Sequence, residues 1–352
     1  MKRLNRRQAL GALGASAASL PVLHGLIPHR SLHGTAAAAG GQPSRKPGGM
    51  DHGGGINGPT FRQGQVVDHR ANGFNPTDIL RDFDYGKTTK LASGRTLREW
   101  TVYAVDKEIE VAPGVKYPAW TFNGRIPGPT LRCREGETLR VRFVNGSQHP
   151  HTMHFHGFHA PAMDGIPEEG DGAIAPGKST VYEFDAEPFG CHLYHCHVSP
   201  LAEHIARGLY GAFIIDPKAG RPEADELVMV MNGFNTNFDA EGNQIYAVNT
   251  VAFHHNNEPV KVNRGELVRI YLINALEYDP INSFHIHGQF FEYFPTGTSL
   301  QPSELTDTIA LTQAQRGILE MRFRDTQGGR IMFHAHKTEF AELGWMGFFE
   351  VA

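Results

Sequence analysis

The feature that most constrains the fold of this 352-residue chain is a set of histidine motifs that occurs twice. His154-Phe-His156-Gly returns as His285-Ile-His287-Gly, and His195-Cys-His197 returns as His334-Ala-His336. The separation between His195-Cys-His197 and its repeat is a few residues longer than the separation between His154-Phe-His156-Gly and its repeat. A separation that grows between successive landmarks is typical of two homologous domains that differ in loop length. The repeat therefore predicts a duplicated domain with histidine pairs in each copy.

Strand-like segments repeat together with the histidines. Thr138–Asn145 alternates apolar and polar side chains, as a half-buried strand does, and Leu267–Asn274 repeats that pattern. The 40 glycines and 22 prolines supply many turns. Short strands in units of about 120 residues predict an all-β fold of two tandem Greek-key β-sandwiches. We place the first domain at 95–218 and the second at 225–352.

The beginning of the chain predicts export from a bacterial cell. Arg6 and Arg7 lie in a basic head, which is followed by an apolar stretch (9–26) and a run of small residues (36–39). This pattern predicts a twin-arginine export signal over residues 1–39, with an ordinary secretory signal as the alternative. The expected location is periplasmic or extracellular.

Residues 40–94 are interpreted as a flexible lead-in to the first domain. Gly and Pro dominate its first part, which is typical of a flexible segment. Further along, Thr77 or Asp78 is predicted to cap a short helix that packs on the first domain.

The composition argues against several classes of partner. The chain has 33 Lys and Arg against 37 Asp and Glu, so it lacks the basic excess of a nucleic-acid binder. No apolar run approaches the roughly 20 residues that a membrane-spanning helix needs. Three cysteines are too few for a disulfide scaffold, and the sequence leaves open whether Cys133 and Cys191 pair.

The four His-x-His pairs predict a metal role. Residues two apart on a strand share a face, so both rings of each pair project together. The four pairs give eight imidazoles, which are ligands suited to copper or zinc. These eight are His154, His156, His195, His197, His285, His287, His334 and His336.

A thiol distinguishes the first repeat from the second. Cys196 lies between His195 and His197, so its sulfur points to the opposite face of the strand. His151 is expected on that same side, and His204 follows in a loop that can fold back. Two imidazoles and one thiolate are the ligand set of a blue copper site. Asn282 and Ala335 stand at the matching positions of the second repeat, where we expect no such site.

These motifs carry a family resemblance. Residues 100–352 resemble the two-domain, laccase-like multicopper oxidases that hold the blue copper in the first domain, and the organisation is also similar to copper nitrite reductase, a trimer. The resemblance implies two cupredoxin-like sandwiches. The motifs are Asn123-Gly-Arg-Ile-Pro-Gly-Pro-Thr130, His151-x-x-His-x-His-Gly157, His195-Cys-His197, His285-x-His-Gly288 and His334-x-His336.

The resemblance implies four coppers per chain. His151, Cys196 and His204 would hold the type 1 copper, and His154 and His285 the type 2 copper. Leu209 falls at the axial type 1 position, where nitrite reductases carry a methionine, and a leucine there should raise the reduction potential. Asp164 matches an acidic residue near the type 2 copper and would relay protons. The type 3 pair would take His156, His195, His197, His287, His334 and His336.

The implied activity is oxidation of a small reducing substrate coupled to reduction of O2 to two waters. Phenols, aromatic amines and metal ions stay open as donors, and a homotrimer with the clusters at subunit interfaces is expected. Copper nitrite reductase is one alternative, and a non-catalytic electron carrier or copper-sequestering protein is another. The remaining histidines of the repeats match no ligand position and are expected to be structural or to support the ligands; they are His149, His159, His192, His254 and His255.

Overall fold

A computed structural model describes residues 66–352, so the predicted export signal and the lead-in before residue 66 lie outside the described residues. The described chain is mostly β-strand, arranged as two tandem cupredoxin-like sandwiches of two sheets each. Within residues 66–352, no helix is both long and apolar enough to cross a membrane.

The first sandwich uses strands up to residue 216. Its two sheets have the orders β1-β5-β10-β9-β7 and β2-β3-β6-β8, and β4 pairs with β3. The strands are β1 (Phe83–Asp84), β2 (Lys87–Lys90), β3 (Thr96–Ala112), β4 (Val115–Phe122), β5 (Thr130–Arg134), β6 (Thr138–Asn145), β7 (His154–Phe155), β8 (Ser179–Asp185), β9 (Gly190–His195) and β10 (Tyr210–Asp216).

The second sandwich begins at residue 225. Its sheets have the orders β12-β11-β14-β19-β16-β17 and β13-β21-β20-β15-β18. The strands are β11 (Asp225–Phe234), β12 (Ile245–Val248), β13 (Val260–Val262), β14 (Leu267–Asn274), β15 (Ile281–Ile286), β16 (Phe291–Pro295), β17 (Glu304–Thr306), β18 (Thr308–Thr312), β19 (Arg316–Arg322), β20 (Gly329–His334) and β21 (Met346–Val351).

Short helices connect the strands. Asn75, and not Thr77 or Asp78, caps the second of them, because its side-chain oxygen accepts the Thr77 N–H at 2.8 Å. The helices are α1 (His69–Asn72), α2 (Pro76–Ile79), α3 (Leu201–Ala206), α4 (His254–Asn257) and α5 (Thr338–Glu342), with a 3-10 turn at Pro161–Met163.

Residues 66–94, which the sequence places in a flexible lead-in, form α1, α2, β1 and β2. This segment contacts both sandwiches and not the first alone. Its β1 pairs with β5, whereas the Leu80 carbonyl accepts the Val228 N–H at 2.8 Å and Arg81 pairs with Asp225 at 2.8 Å. Leu80 is fully buried in the core of the second sandwich. This burial explains why residues 66–94 have a defined structure instead of the flexibility expected from the sequence.

The repeated strands β6 and β14 have the predicted bounds but different burial. β6 alternates as expected, whereas β14 is buried on both faces. Ile270 and Leu272 face the core of the second sandwich, while Tyr271 and Ile273 join a second core shared with the first sandwich. One sheet of each sandwich therefore packs against the other through β9, β10, β11, β14 and β19.

Buried charges cross this junction. Arg132 of β5 pairs with Asp216 at 2.9 Å and with Glu226 at 2.6 Å, and Glu226 also pairs with Arg269 at 3.0 Å. The Tyr271 hydroxyl donates to Glu226 at 2.7 Å. Both arginines are at least nine-tenths buried and share Glu226, while Asp216 gives Arg132 and Glu320 gives Arg269 a second carboxylate partner.

The three cysteines are buried free thiols. Cys133 and Cys191 therefore form no disulfide with one another in this structure. Burial raises the pKa of the Cys191 thiol to about 12, so it is protonated and unreactive.

Candidate metal centres

His151, Cys196 and His204 converge into one cluster of donor atoms. Nδ1 of His204 lies 3.2 Å from Cys196 Sγ, and Nδ1 of His151 lies 3.8 Å from it. The two Nδ1 atoms are 3.1 Å apart. All three side chains are at most 4 % exposed. The structure thus brings together the thiol and imidazoles of the predicted type 1 set.

The backbone around Cys196 fixes this geometry. Cys196 follows the last residue of β9, and its N–H donates to the Leu209 carbonyl at 3.0 Å. The Thr152 N–H points to Cys196 Sγ at 3.5 Å. Nε2 of His151 contacts the Ser147 hydroxyl at 2.9 Å, which leaves Nδ1 as the atom that faces the sulfur.

Burial sets the protonation state of the trio. It lowers the pKa of His151 to about 3 and that of His204 to about 4, so both rings are neutral near pH 7. Burial raises the pKa of Cys196, while N–H groups of Thr152 and Val198 oppose that rise by stabilising a thiolate. Neutral imidazoles and a hydrogen-bonded sulfur are suited to a soft transition metal.

A surface groove of about 790 Å³ leads to His204 but not to His151. The Trp120 ring covers the trio, with its centroid 4.8 Å from that of His204 and 5.4 Å from that of His151. Arg207 lies over Trp120 at 5.3 Å. His204, although only 4 % exposed, is therefore the member of the trio that meets the groove.

Leu209, the predicted axial residue, is fully buried in the core that also contains Cys196 and Met153. Its carbonyl accepts the Cys196 N–H, as noted above, and its own N–H donates to the His204 carbonyl at 3.3 Å. Leu209 thus joins two members of the trio through its backbone.

The first histidine quartet, defined as His154, His156, His195 and His197, lies at the ends of β7 and β9. Its members surround one another at ring-centroid distances of 5.1 to 5.9 Å. The Nε2 atoms of His156 and His195 are 3.1 Å apart. Burial lowers the pKa of His156 to about 2 and that of His195 to about 4, so these rings are neutral donors.

The second quartet, defined as His285, His287, His334 and His336, repeats this geometry on β15 and β20. Its ring-centroid distances also run from 5.1 to 5.9 Å, and the stacked pair is 5.9 Å apart in both quartets. The Nε2 atoms of His287 and His334 are 3.0 Å apart, matching the pair in the first quartet. The sequence repeat is therefore a repeat of donor geometry.

One ring in each quartet is held through Nδ1 by an aspartate segment. Nδ1 of His154 contacts the Asp164 carbonyl at 2.8 Å and the Asp164 carboxylate at 3.1 Å. Nδ1 of His285 contacts the Asp307 carbonyl at 3.0 Å and the Thr308 hydroxyl at 2.7 Å. In both rings Nε2 is left to face the quartet. These are the two histidines that the family resemblance assigns to type 2 copper.

Sequence reasoning missed Asp307 and Thr308, which hold the His285 ring, and singled out Asp164 as a proton relay near the type 2 copper and not as a residue that holds His154. Asp307 and Thr308 lie 22 and 23 residues after His285, whereas Asp164 lies ten residues after His154, so no shared spacing marks them. His159, expected from the sequence to be structural or to support a ligand, has its Nε2 3.6 Å from the Asp164 carboxylate. The signal that could have linked His159 to Asp164 is their closeness in the sequence.

The two quartets stay apart within one chain. β7 and β9 belong to the sheet that packs on the second sandwich, whereas β15 and β20 belong to the other sheet of the second sandwich. Among residues 66–352, no hydrogen bond or ring contact joins a member of one quartet to a member of the other. In the second quartet, His287 and His336 are exposed.

At the positions that match the trio, the second sandwich has buried Asn282 and Ala335. Neither offers an imidazole or a thiolate. The three sets of donors described here fit copper by their chemistry, since imidazole and thiolate suit that metal, and the rings with resolved pKa shifts are neutral.

The chain is similar to known copper proteins. Two family models described as multicopper oxidase match residues 104–220 and 222–352. The copper-containing nitrite reductase of Neisseria gonorrhoeae is 34% identical over 211 residues, which are 53% of this chain and 52% of that protein. The chain thus matches about half the length of that relative.

Two solved structures are similar over most of the described chain. A multicopper oxidase crystal structure is 64% identical, with a TM-score of 0.80 over 82% of this chain and 100% of its own. The blue copper oxidase of Nitrosomonas europaea is 26% identical, with a TM-score of 0.65 over 72% of this chain and 86% of its own. With both halves matched by the family models and the donor sets in place, this chain belongs to the multicopper oxidase family.

Proposed function

We propose that the protein is an oxidase that couples four one-electron oxidations of a small reducing substrate to reduction of O2 to two waters. The observation that carries this proposal is the pair of matched histidine quartets beside a His-Cys-His trio. An electron carrier needs only the trio and leaves eight grouped imidazoles without a role. Four coppers per chain are the corresponding stoichiometry, one at the trio and three at a cluster built from both quartets.

The trio is where the substrate's electrons are expected to enter. His151, Cys196 and His204 would hold type 1 copper, which supplies the one-electron redox couple that these side chains lack. His204 is the member of the trio that lines the groove, so a donor bound there lies next to a ligand. The groove offers Trp120 and His149 for contact with a flat ring, and Arg207 at its side. Phenols, aromatic amines and metal ions remain the candidate donors.

The chain itself connects the trio to the first quartet. Cys196 is covalently joined to His195 and His197, which belong to the quartet on the opposite face of the strand end. The Thr152 hydroxyl accepts the His197 N–H at 3.0 Å, while the Thr152 N–H points to the sulfur. This one residue therefore fixes the sulfur and the neighbouring quartet relative to each other.

A homotrimer would complete the cluster. Each quartet supplies four rings, and the second quartet presents exposed rings on a sheet that lies away from the junction within the chain. A head-to-tail contact brings the first quartet of one chain to the second quartet of the next and closes as a ring of three. The family likeness to trimeric nitrite reductases supports this arrangement.

Asp164 is assigned two roles at this cluster. Its carbonyl and carboxylate orient the His154 ring through Nδ1, and its carboxylate can hold a proton beside the site where O2 is reduced. His159 Nε2 lies 3.6 Å from the same carboxylate oxygen and contacts the Phe155 carbonyl at 2.9 Å. Proton supply is required because each O2 takes up four protons as it becomes two waters.

Nitrite reduction is the second candidate, because curated relatives of this chain are copper-containing nitrite reductases. Leu209 stands where those enzymes carry methionine, and a lone type 2 copper needs only three of the eight quartet histidines. We therefore rank it below the oxidase.

Copper counting together with gas and nitrite assays tests the proposal. The copper-loaded protein should contain four coppers per chain and consume one O2 for every four electrons taken from a donor, without release of hydrogen peroxide. Two coppers per chain, with nitrite consumed and no O2 uptake, would instead establish the reductase. Export from the cell, which is also part of the proposal, requires cleavage near Ala39 in the secreted protein.

A further inference from the structure

Three chemistry-bearing side chains meet outside the copper centres, where the N-terminal segment contacts the second sandwich. His69 begins α1, His254 begins α4 and Glu258 follows α4. One ligand atom from each of them lies within 4.8 Å of the other two. The His69 and His254 rings are 4.9 Å apart, and His254 Nε2 is 3.7 Å from a Glu258 carboxylate oxygen.

A fourth oxygen lies among these groups. The Thr77 hydroxyl, from α2, is 2.7 Å from His254 Nε2 and 3.2 Å from the Glu258 carboxylate. The four residues thus come from α1, α2 and the α4 region, and they converge although these two parts of the chain are far apart in sequence.

Burial and hydrogen bonding set this cluster apart from an ordinary surface group. His254 is 4 % exposed, and Nδ1 of His69 is buried without a hydrogen-bond partner among the described residues. Burial, together with the neighbouring His69, lowers the pKa of His254 to about 3, so its ring is neutral. A buried polar atom without a partner costs free energy, and a bound cation would relieve that cost.

We propose that His69, His254 and Glu258, with the Thr77 hydroxyl beside them, bind a divalent transition ion that fastens residues 69–79 to the second sandwich. The site is separate from the trio and from both quartets, none of whose members it shares. Its occupancy would add one metal per chain to those at the copper centres.

The donor set selects the class of ion. Two imidazoles and a carboxylate suit zinc, copper or iron(II), and they suit calcium or magnesium poorly because those ions prefer oxygen ligands. Ligand bonds of about 2.0 to 2.2 Å place tetrahedral ligand atoms roughly 3.4 Å apart. His254 Nε2 and the Glu258 carboxylate oxygen, at 3.7 Å, are therefore slightly too far apart as they stand. The Glu258 side chain is 45% exposed and can move to close the set.

Zinc is the probe for this site, and the copper-loaded full chain is the sample. After incubation with Zn²⁺ and dialysis, elemental analysis of the wild type should find about one zinc per chain with copper unchanged. Glu258→Gln and His69→Gln should each weaken zinc retention about tenfold or more while the blue absorbance stays. Glu292→Gln, at an exposed carboxylate of β16 away from the cluster, is the matched control and should retain zinc.

Hydrogen exchange supplies a readout that adventitious zinc does not change. Added zinc should slow amide exchange in residues 69–80 of the wild type and of Glu292→Gln, but not of Glu258→Gln. Equal zinc retention in the wild type and both cluster variants would mean adventitious zinc only and would overturn the site. Absence of retained zinc in the wild type, with no more than four coppers per chain, would overturn it as well. A fifth copper per chain that the wild type keeps and Glu258→Gln loses would support the site with copper as its occupant.

Discussion

Co-expressing two variants that each lack one histidine quartet tests whether the cluster is shared between chains. The first variant carries His154→Ala and His156→Ala, and the second carries His285→Ala and His287→Ala. Each keeps its trio, so each should remain blue while failing to reduce O2 alone. Different affinity tags on the two variants allow purification of trimers that contain both.

The expected activity follows from the head-to-tail arrangement. A cluster is intact only where a chain with a whole first quartet precedes one with a whole second quartet. A ring of two chains of one kind and one of the other contains a single interface of that type, whichever kind is in excess. Mixed trimers should therefore reach about one third of the wild-type O2 uptake per blue copper.

Oxygen uptake with a saturating donor, normalised to the blue absorbance, is the measurement. Trimers of each variant alone, mixed only after purification, control for exchange of chains and for residual activity. Mixed trimers that stay inactive at full blue absorbance would refute the shared cluster, because clusters built within single chains are damaged in every chain. A protein that purifies as a monomer with full activity would refute it equally.

Three further substitutions have defined outcomes. Cys196→Ser should abolish the blue absorbance and O2 uptake while paramagnetic type 2 copper remains, and a persisting blue colour would contradict the ligand assignment. Leu209→Met should lower the type 1 potential in a redox titration because a thioether stabilises Cu(II); an unchanged potential would show that this position is not axial. Glu226→Ala should lower the free energy of unfolding in urea by ~3 kcal/mol, since it removes the hydrogen bonds that Glu226 accepts from buried Arg132, Arg269 and the Tyr271 hydroxyl. A loss below ~1 kcal/mol would contradict that account.

Local spacing is enough to predict the donor groups and several strands. The alternation of apolar and polar residues in Thr138–Asn145 and Leu267–Asn274 predicts strands with those bounds. It can be recognised from neighbouring residues alone, because successive side chains of a strand point to opposite faces. The same alternation places the Cys196 sulfur opposite the rings on either side of it. The trio also needs His204, which the structure places in α3 and not in the loop expected from the sequence. Family likeness supplies that ligand, whereas alternation along the strand does not.

Contacts between segments that are distant in sequence leave no pattern of local spacing from which they could be predicted. Tyr271 and Ile273 on the second face of β14 are buried because the first sandwich packs against them. The likeness of the β14 sequence to that of β6 does not predict this contact. Leu80 and His69 meet the second sandwich although the whole first sandwich lies between them in sequence, so their partners follow from packing. Asn75 is hard to identify as the α2 cap because two other residues with capping side chains follow it closely.

The core shared by the two sandwiches has a consequence for how the chain is made. Ile214 and Tyr210, at the end of the first sandwich, pack against strands that end only at Arg322. At roughly 5 to 20 residues per second, ribosomes need about 5 to 20 s to add the intervening segment. During that interval the first sandwich presents an apolar sheet face that its own residues do not cover. Newly made chains are then most open to capture by chaperones, or to association with one another, before the second sandwich arrives.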